Sequence, residues 1–386
     1  MGNENEVTRR PRLGYWLAGS LVFVLSGIVT AAPEGPADWA KEGRPLPARE
    51  VLQPLLDEAL PVYQPCSAEP LEGTFEGSVP AVLPKLVERW ITAFQQRYPA
   101  VRIQAPPPYL APQGRLNGSF QKVLDGQGDF AFVSRDLSPA DIAAYLRAHA
   151  IGVKPIPVVG GSWRHFGFID TVGVIVNEAN PVQSLTLAQL DAVFSNSRLR
   201  GHMGVRTWGD LDVATWKGKP VLVVGGAAWL GSEPSARAIS VHDKVLSVGG
   251  RKGMWRDDLD GSSREADVPN QVASNPYAIG FTGMGHLVPG VRAIAISEGK
   301  GTTPIEPSYE EVALARYPLS RVGYVVLSRK QRRPIAPALR EFVRFILSKE
   351  GQQIALDQGI MLPLRAHQVD SARRELSDSG DSRGCD

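Results

Sequence analysis

Four Gly- and Ser-rich turns each separate an apolar run from an amphipathic one: EGSVP (76–80), QGRLNGS (113–119), VSRDLSP (133–139) and GGAAWLGSEPSARA (225–238). A strand-to-helix turn of this composition presents bare backbone N–H groups, small hydroxyls and the positive end of a helix dipole. That is the chemistry of holding an oxyanion. Arg135 and Arg237 lie inside two of the turns and supply the complementary charge. The plainer reading is that Ser78, Ser119 and Ser138 cap helices, each worth ~1 kcal/mol. For any single turn capping is the simpler account; four such turns in a chain without a catalytic set favour binding.

Other chemistries find no support in the sequence. The six histidines (149, 165, 202, 242, 286 and 368) form neither an HxxxH nor an HExxH spacing, and no cysteine cluster assists them, so no metal and no cofactor is expected. There is no Gly-x-Ser-x-Gly elbow, and EGKGTTP (298–304) lacks both the Gly-Lys-Ser/Thr order and a following helix. The chain therefore reads as a non-enzyme. A formal net charge of +2 gives no electrostatic case for nucleic acid. Trp229, inside the fourth turn, is either a ligand-stacking ring or a loop plug; Trp163, Trp208, Trp216 and Trp255 fall in or near loops.

The ends set the compartment. Positive charge in TRRPR (8–12) precedes an apolar stretch (13–32) that exits in small residues, the pattern of a secretory signal cleaved near Ala31 or Ala32. An uncleaved membrane anchor is the alternative. Either way the body is expected outside the cytoplasm, periplasmic or secreted. Cys66 and Cys385, the two cysteines of the chain, can pair in an oxidising compartment or stay apart.

These turns must be positioned by the elements between them. Residues 33–70 are rich in Pro, Glu and Ala and read as a leader with one short helix, AREVLQPLLDEAL; 367–386 read as a polar, mobile tail without apolar period. In between, strands alternate with helices. Val82, Leu83, Leu86, Val87, Trp90, Ile91 and Phe94 mark one helical stripe over 80–97, with the strand AVRIQA after it. Strands GDFAFVS, PIPVVG, TVGVIVN, PVLVVGG and AIGFTG follow, with helices NGSFQKVLDG, SPADIAAYLRAH (capped by Ser138, Asp141 completing a capping box) and TLAQLDAVFS (capped by Thr186). PALREFVRFILSKEGQQIALDQG reads as one long final helix stopped by Gly359. Interleaved strands and helices predict an α/β fold with mainly parallel pairing, whose turns lie at the carboxyl ends of the strands.

The ordered set of these segments resembles the phosphate-binding proteins that serve ABC importers, within the type II periplasmic binding proteins. The likeness rests on GSVPAVLPKLVERWITAFQQRYPAVRIQ, GSFQKVLDGQGDFAFVSRDLSPADIAAY, TVGVIVNEANPVQSLTLAQLDAVFS, SNPYAIGFTGMG, ARYPLSR and FILSKEGQQIALDQGIMLPL, and spans about 72–365. It implies a two-lobed α/β fold, each lobe a sheet flanked by helices: 70–165 and 310–366 in one lobe, 166–309 in the other. It further implies capture of phosphate or a related oxyanion between the lobes, delivery to a membrane permease with its ATPase, and hinge closure. Carried over residue by residue, the site consists of Ser78 and Val79 in the first loop, Asn117 and Ser119 in the second, Ser134 and Arg135 after the DF strand, and Ser235 and Arg237 in the fourth turn. The fourth turn departs from the family: Ser235-Ala236-Arg237 stand in the Ser-Gly-Thr place, the preceding Arg-Asp pair is missing, and Glu233 is nearby. A carboxylate 4 Å from a bound anion costs ~4 kcal/mol per unit charge at an effective dielectric of about 20. The alternative function is thus a secreted sensor or scaffold on the same fold that has changed or lost its ligand. A monomer is expected.

Overall fold

The computed structural model describes residues 56–66, 70–106, 118–165, 168–225, 235–259, 267–329 and 335–377. The expected signal segment, most of the leader, Asn117, Trp229, Glu233 and Cys385 lie outside the described residues.

The chain opens with β1 (Gly73–Ser78), α1 (Pro84–Arg97) and β2 (Val101–Gln104). The apolar stripe of α1 is realised as Leu86, Val87, Trp90 and Phe94, all buried, and the indole of Trp90 donates to the Gly351 carbonyl at 2.8 Å. Pro at the first helical turn starts this helix and no side chain caps it; Ser78 sits back in β1. There follow α2 (Gly118–Leu124), β3 (Phe130–Val133), α3 (Pro139–His149) and β4 (Ile156–Gly160). Here the capping box expected at Ser138 and Asp141 is formed in both directions.

The chain then crosses to a second body: β5 (Val172–Asn177), β6 (Ser184–Thr186), α4 (Leu187–Phe194), β7 (Leu222–Val223), α5 (Ala236–Val241), α6 (Val268–Ser274), β8 (Ala278–Gly283), β9 (Val291–Ala293), β10 (Ala295–Ser297) and α7 (Tyr309–Ala313). Thr186 caps its helix as expected, and Gln189 completes a capping box there that was not expected. The chain returns through β11 (Val322–Leu327) and ends in α8 (Pro337–Ile346), α9 (Lys349–Gln358) and α10 (Ala366–Ser377).

Two sheets result, one of order β2-β1-β3-β11-β4 and one of order β7-β8-β5-β9, with β6 and β10 paired separately. Each sheet has its own core: Trp90, Phe94, Phe130, Phe132 and Phe342 belong to the first, Phe194, Trp208, Trp255 and Phe281 to the second. Pairing is mixed rather than mainly parallel. β1 runs parallel to β2 and β3, but β11 lies antiparallel between β3 and β4, and β5 is antiparallel to both β8 and β9. The reason is topological: a strand that re-enters a sheet from the other body arrives head-first, where a crossover helix within one sheet would have kept it parallel.

Three further expectations are corrected. The single final helix is two, because Ser348 caps a new start by accepting from Gly351 N–H at 3.2 Å. Residues 366–377 of the supposed tail form α10, whose Val369, Ala372 and Leu376 are buried in the first core at helical spacing. The described part of the leader is not an appendage either: Leu60 and Tyr63 are buried in that core, and 56–60 form a turn instead of a helix. The Tyr63 hydroxyl meets Tyr98 and the buried carboxylate of Glu341, each at 2.7 Å. Tyr309, Val312, Tyr317 and Leu319, just before β11, pack into the second core.

The two crossings run side by side. Gly161 N–H donates to Arg321 O at 2.7 Å, Thr171 N–H to Ser162 O at 3.0 Å, and Val172 N–H to Leu319 O at 3.3 Å. Gly161 is required here, because a Cβ would lie 2.3 Å from Ile169 O and 2.9 Å from Arg321 O.

Candidate functional site

Parallel strands bring their carboxyl ends to one edge: Ser78 closes β1 opposite Ala131, and β3 runs on for two more residues to Val133, with Ser134 following. β11 enters at that same edge, its Tyr324 opposite Val133, which sets Arg321 beside the β3 turn. In the other sheet β8 ends at Gly283, opposite Val172 at the start of β5. The ends of β1, β3 and β8 and both crossings therefore meet at one seam.

The residues nominated from sequence are placed as follows. Ser78 and Val79 are buried, and the Ser78 hydroxyl donates to the Ser119 carbonyl at 2.6 Å, tying the first loop to the start of α2. Ser134 offers its carbonyl to Arg321 Nη2 at 3.1 Å. The Arg135 guanidinium turns to its own helix, donating to Asp141 at 2.7 Å and to Asp136 O at 2.8 Å. Burial works to raise Asp141, but the Arg135 pairing and the Ser138 donors outweigh it and hold this carboxyl below the usual carboxylate range. Ser235 caps α5, accepting from Ala238 N–H at 3.0 Å. Arg237, on the first turn of that helix, reaches across to Asp170 on the first crossing, Nη2 to Oδ1 2.6 Å.

Asp170 organises a cluster that the sequence did not announce. Its side chain is wholly buried. Oδ2 accepts from Gly285 N–H at 3.1 Å, and Arg321 lies 4.0 Å from Oδ1 while donating to the Asp170 carbonyl at 3.4 Å. Arg237 Nη2 also stands 3.1 Å from His286 Nε2, which must accept, since a guanidinium only donates. Gly283 makes the room: a Cβ there would fall 2.0 Å from Asp170 Oδ2 and 2.5 Å from Arg237 Nε. Burial pushes His165 below the ordinary histidine value, against the opposing pull of the Asp170 charge.

A second polar group adjoins it. The Tyr324 hydroxyl donates to Asp136, and burial, then the Asp136 charge, push the phenol well above its ordinary value. Lys244, from the irregular turn after α5, donates to the Ser320 carbonyl on the return crossing. Burial pulls its pKa down, Asp136 opposes this, and Arg321 adds to it. A cavity of about 240 Å³ opens beside these groups, lined in part by Gly161, Lys244, Ser320 and Arg321. Across the seam, then, three basic side chains (Arg237, Arg321 and Lys244) meet three carboxylates (Asp136, Asp170 and Asp243, whose charge also acts on Tyr324). Of these only Arg237 was found from sequence. The YPLSR segment carried Arg321 in plain view, but only its pattern was used; nothing local marks Asp170 or Lys244. No cluster of metal-ligating side chains occurs among the described residues. Trp208 and Trp255 prove to be core plugs, the first donating to Tyr277 O at 3.2 Å and the second stacked on Phe281.

Two sheets joined by paired crossings, with polar groups converging at the junction, define the architecture of a two-lobed binding protein. The chain belongs to the PBP superfamily, whose domain description matches residues 68–350, and it has the type II periplasmic binding protein fold. Among curated proteins it is similar to the phosphate-binding protein PstS of Pseudomonas aeruginosa, 27% identical over 325 residues, covering 83% of this chain and 92% of that protein. It is also similar to the protein SphX of Synechococcus elongatus, 23% identical over 267 residues, 68% of this chain and 72% of that one. Among solved structures, an ABC-type phosphate transport receptor from Vibrio cholerae aligns with a TM-score of 0.45 at 18% identity, over 75% of this chain and 100% of that one.

Proposed function

We infer that this protein captures a small oxyanion, phosphate first among them, at the seam between its lobes and hands it to an ABC permease in the membrane. The observation that carries the reading is the convergence of three basic side chains, Arg237, Arg321 and Lys244, on the two crossings between the sheets. Lys244, Arg316 and Arg321, together with Glu298, line a cavity of about 240 Å³, room for a tetrahedral anion. The backbone of the Ser78–Val79 loop, Ser119, Ser134 and the Ser235 turn contribute dipoles, and Arg237 and Lys244 contribute charge. Arg135 acts one step back, by fixing the loop that carries Ser134 and Asp136. The named relatives support phosphate as the first ligand to try. They also support action outside the cytoplasm, and among the described residues no helix is long and apolar enough to cross a membrane. The proposed division is a first lobe of 70–165 with 310–366 and a second of 166–309, the segment up to Leu319 packing on the second core before β11 is reached.

Isothermal titration with inorganic phosphate at pH 7, and with sulfate in parallel, tests the reading; micromolar or tighter binding is expected. A second reading, a sensor or scaffold without a small ligand, draws on a specific observation: both nominated arginines are already engaged by carboxylates, Arg135 by Asp141 at 2.7 Å and Arg237 by Asp170 at 2.6 Å. Silence toward every oxyanion tried would favour it.

A further inference from the structure

The groups around Asp170 form an anion seat that the chain itself occupies. A carboxylate held by a guanidinium on one oxygen (2.6 Å) and a backbone N–H on the other (3.1 Å) is how a bound carboxylate or phosphate is gripped. The seat is shaped for it: Gly283 lacks the Cβ that would strike the Asp170 carboxylate at 2.0 Å. The second guanidinium, Arg321, stands 4.0 Å away. Asp170 itself belongs to the first crossing, the segment that must twist when two lobes change their mutual angle, whereas Arg237 belongs to a helix of the second lobe.

The geometry points to Asp170 as a built-in competitor: its carboxylate holds on Arg237 the place that an oxygen of the incoming anion takes, so ligand affinity is set by the exchange of one for the other. The inference rests on the oxyanion reading above. Its physical content is a difference. An anion arriving at Arg237 gains one charge-assisted contact but must break an existing buried one, and the uncompensated Asp170 then opposes it. The internal carboxylate thus lowers affinity. It also gives Arg237 a carboxylate partner before any anion arrives.

The test is titration of the wild type and of Asp170→Asn with inorganic phosphate and with sulfate at pH 7. The amide keeps the size of the side chain and removes its charge, so at least tenfold tighter phosphate binding is expected, together with a larger rise of melting temperature on adding phosphate. Damage to a merely structural ion pair would not tighten binding. Phosphate binding by the variant where the wild type is silent supports the inference equally. If the wild type binds and Asp170→Asn binds the same or more weakly, the inference falls while the capture reading stands. If both are silent, the capture reading falls and takes the inference with it. Should Asp170→Asn fold only in the presence of phosphate, the anion is replacing the carboxylate, as inferred. Should it not fold at all, the double variant Asp170→Asn/Arg237→Gln removes both charges of the pair. At least tenfold weaker binding than wild type is then expected, and undiminished binding would show that Arg237 is no part of the seat.

Discussion

Asp141 is the place where a local helix signal and the candidate site are joined, and Asp141→Asn tests that joint. The carboxylate accepts from Arg135 at 2.7 Å and from both the backbone N–H and the hydroxyl of Ser138 at 2.8 Å each, with only 10% of the side chain exposed. An amide keeps the shape and can set its oxygen where Oδ2 accepts all three contacts, but it loses the charge that strengthens them. Hydrogen bonds to a charged group contribute about 1.5–3 kcal/mol, and a capping contact about 1. Because these overlap in one carboxylate, the loss is about 2–3 kcal/mol rather than their total. The sign with pH follows from the depressed carboxyl. The folded-state pKa lies below that of the unfolded chain, so the stabilisation is present above about pH 4 and is lost as pH falls through the folded value. Urea unfolding followed by circular dichroism, wild type against variant, is to be run at pH 7 and again near pH 3. The gap is expected to be widest at pH 7 and to narrow in acid. Equal stability within about 0.5 kcal/mol at pH 7, or a gap that widens in acid, would refute the assignment of Arg135 to Asp141.

Three other outcomes are expected. Gly161→Ala drives a methyl against the carbonyls of Ile169 and Arg321 and should cost about 1–3 kcal/mol, read as a lowered melting temperature; an unchanged one would mean the crossings are not pinched there. Tyr63→Phe removes the hydroxyl that bonds Tyr98 and the buried Glu341, with a loss of about 1–3 kcal/mol in the same assay. Cys66 is disulfide-bonded, so dithiothreitol should lower stability by about 2–5 kcal/mol, checked by urea midpoints with and without reductant.

Elements whose signals are local were legible in the sequence. The capping box of Ser138 with Asp141 spans four residues, Thr186 caps the helix that follows it, and the stripe through Leu86, Val87, Trp90 and Phe94 lies on one helix. What depended on distant partners was not. Strand direction is decided by where the chain comes from, and β11 itself was not among the strands expected from sequence. The helix over 366–377 carries only three buried apolar residues among charged ones, a stripe too thin to stand out until a core is there to receive it. The site divides the same way. Ser235 and Arg237 could be found because they share a turn, but Asp170 meets Arg237 from 67 positions away, and Lys244 meets Ser320 from 76. The Ser78 hydroxyl, nominated for a guest or a cap, instead bonds the carbonyl of Ser119, 41 positions on.

The adjacency of outgoing and returning chain has an evolutionary reading. With Gly161 and Arg321 one hydrogen bond apart, everything from β5 to α7 hangs from a doorway as narrow as two strands. A module attached in that way is interchangeable in principle: grafting the corresponding piece of a related receptor between residues 161 and 321 would leave the first body's sheet neighbours undisturbed, and a fluorescent reporter spliced at that threshold would register any swing of one half against the other.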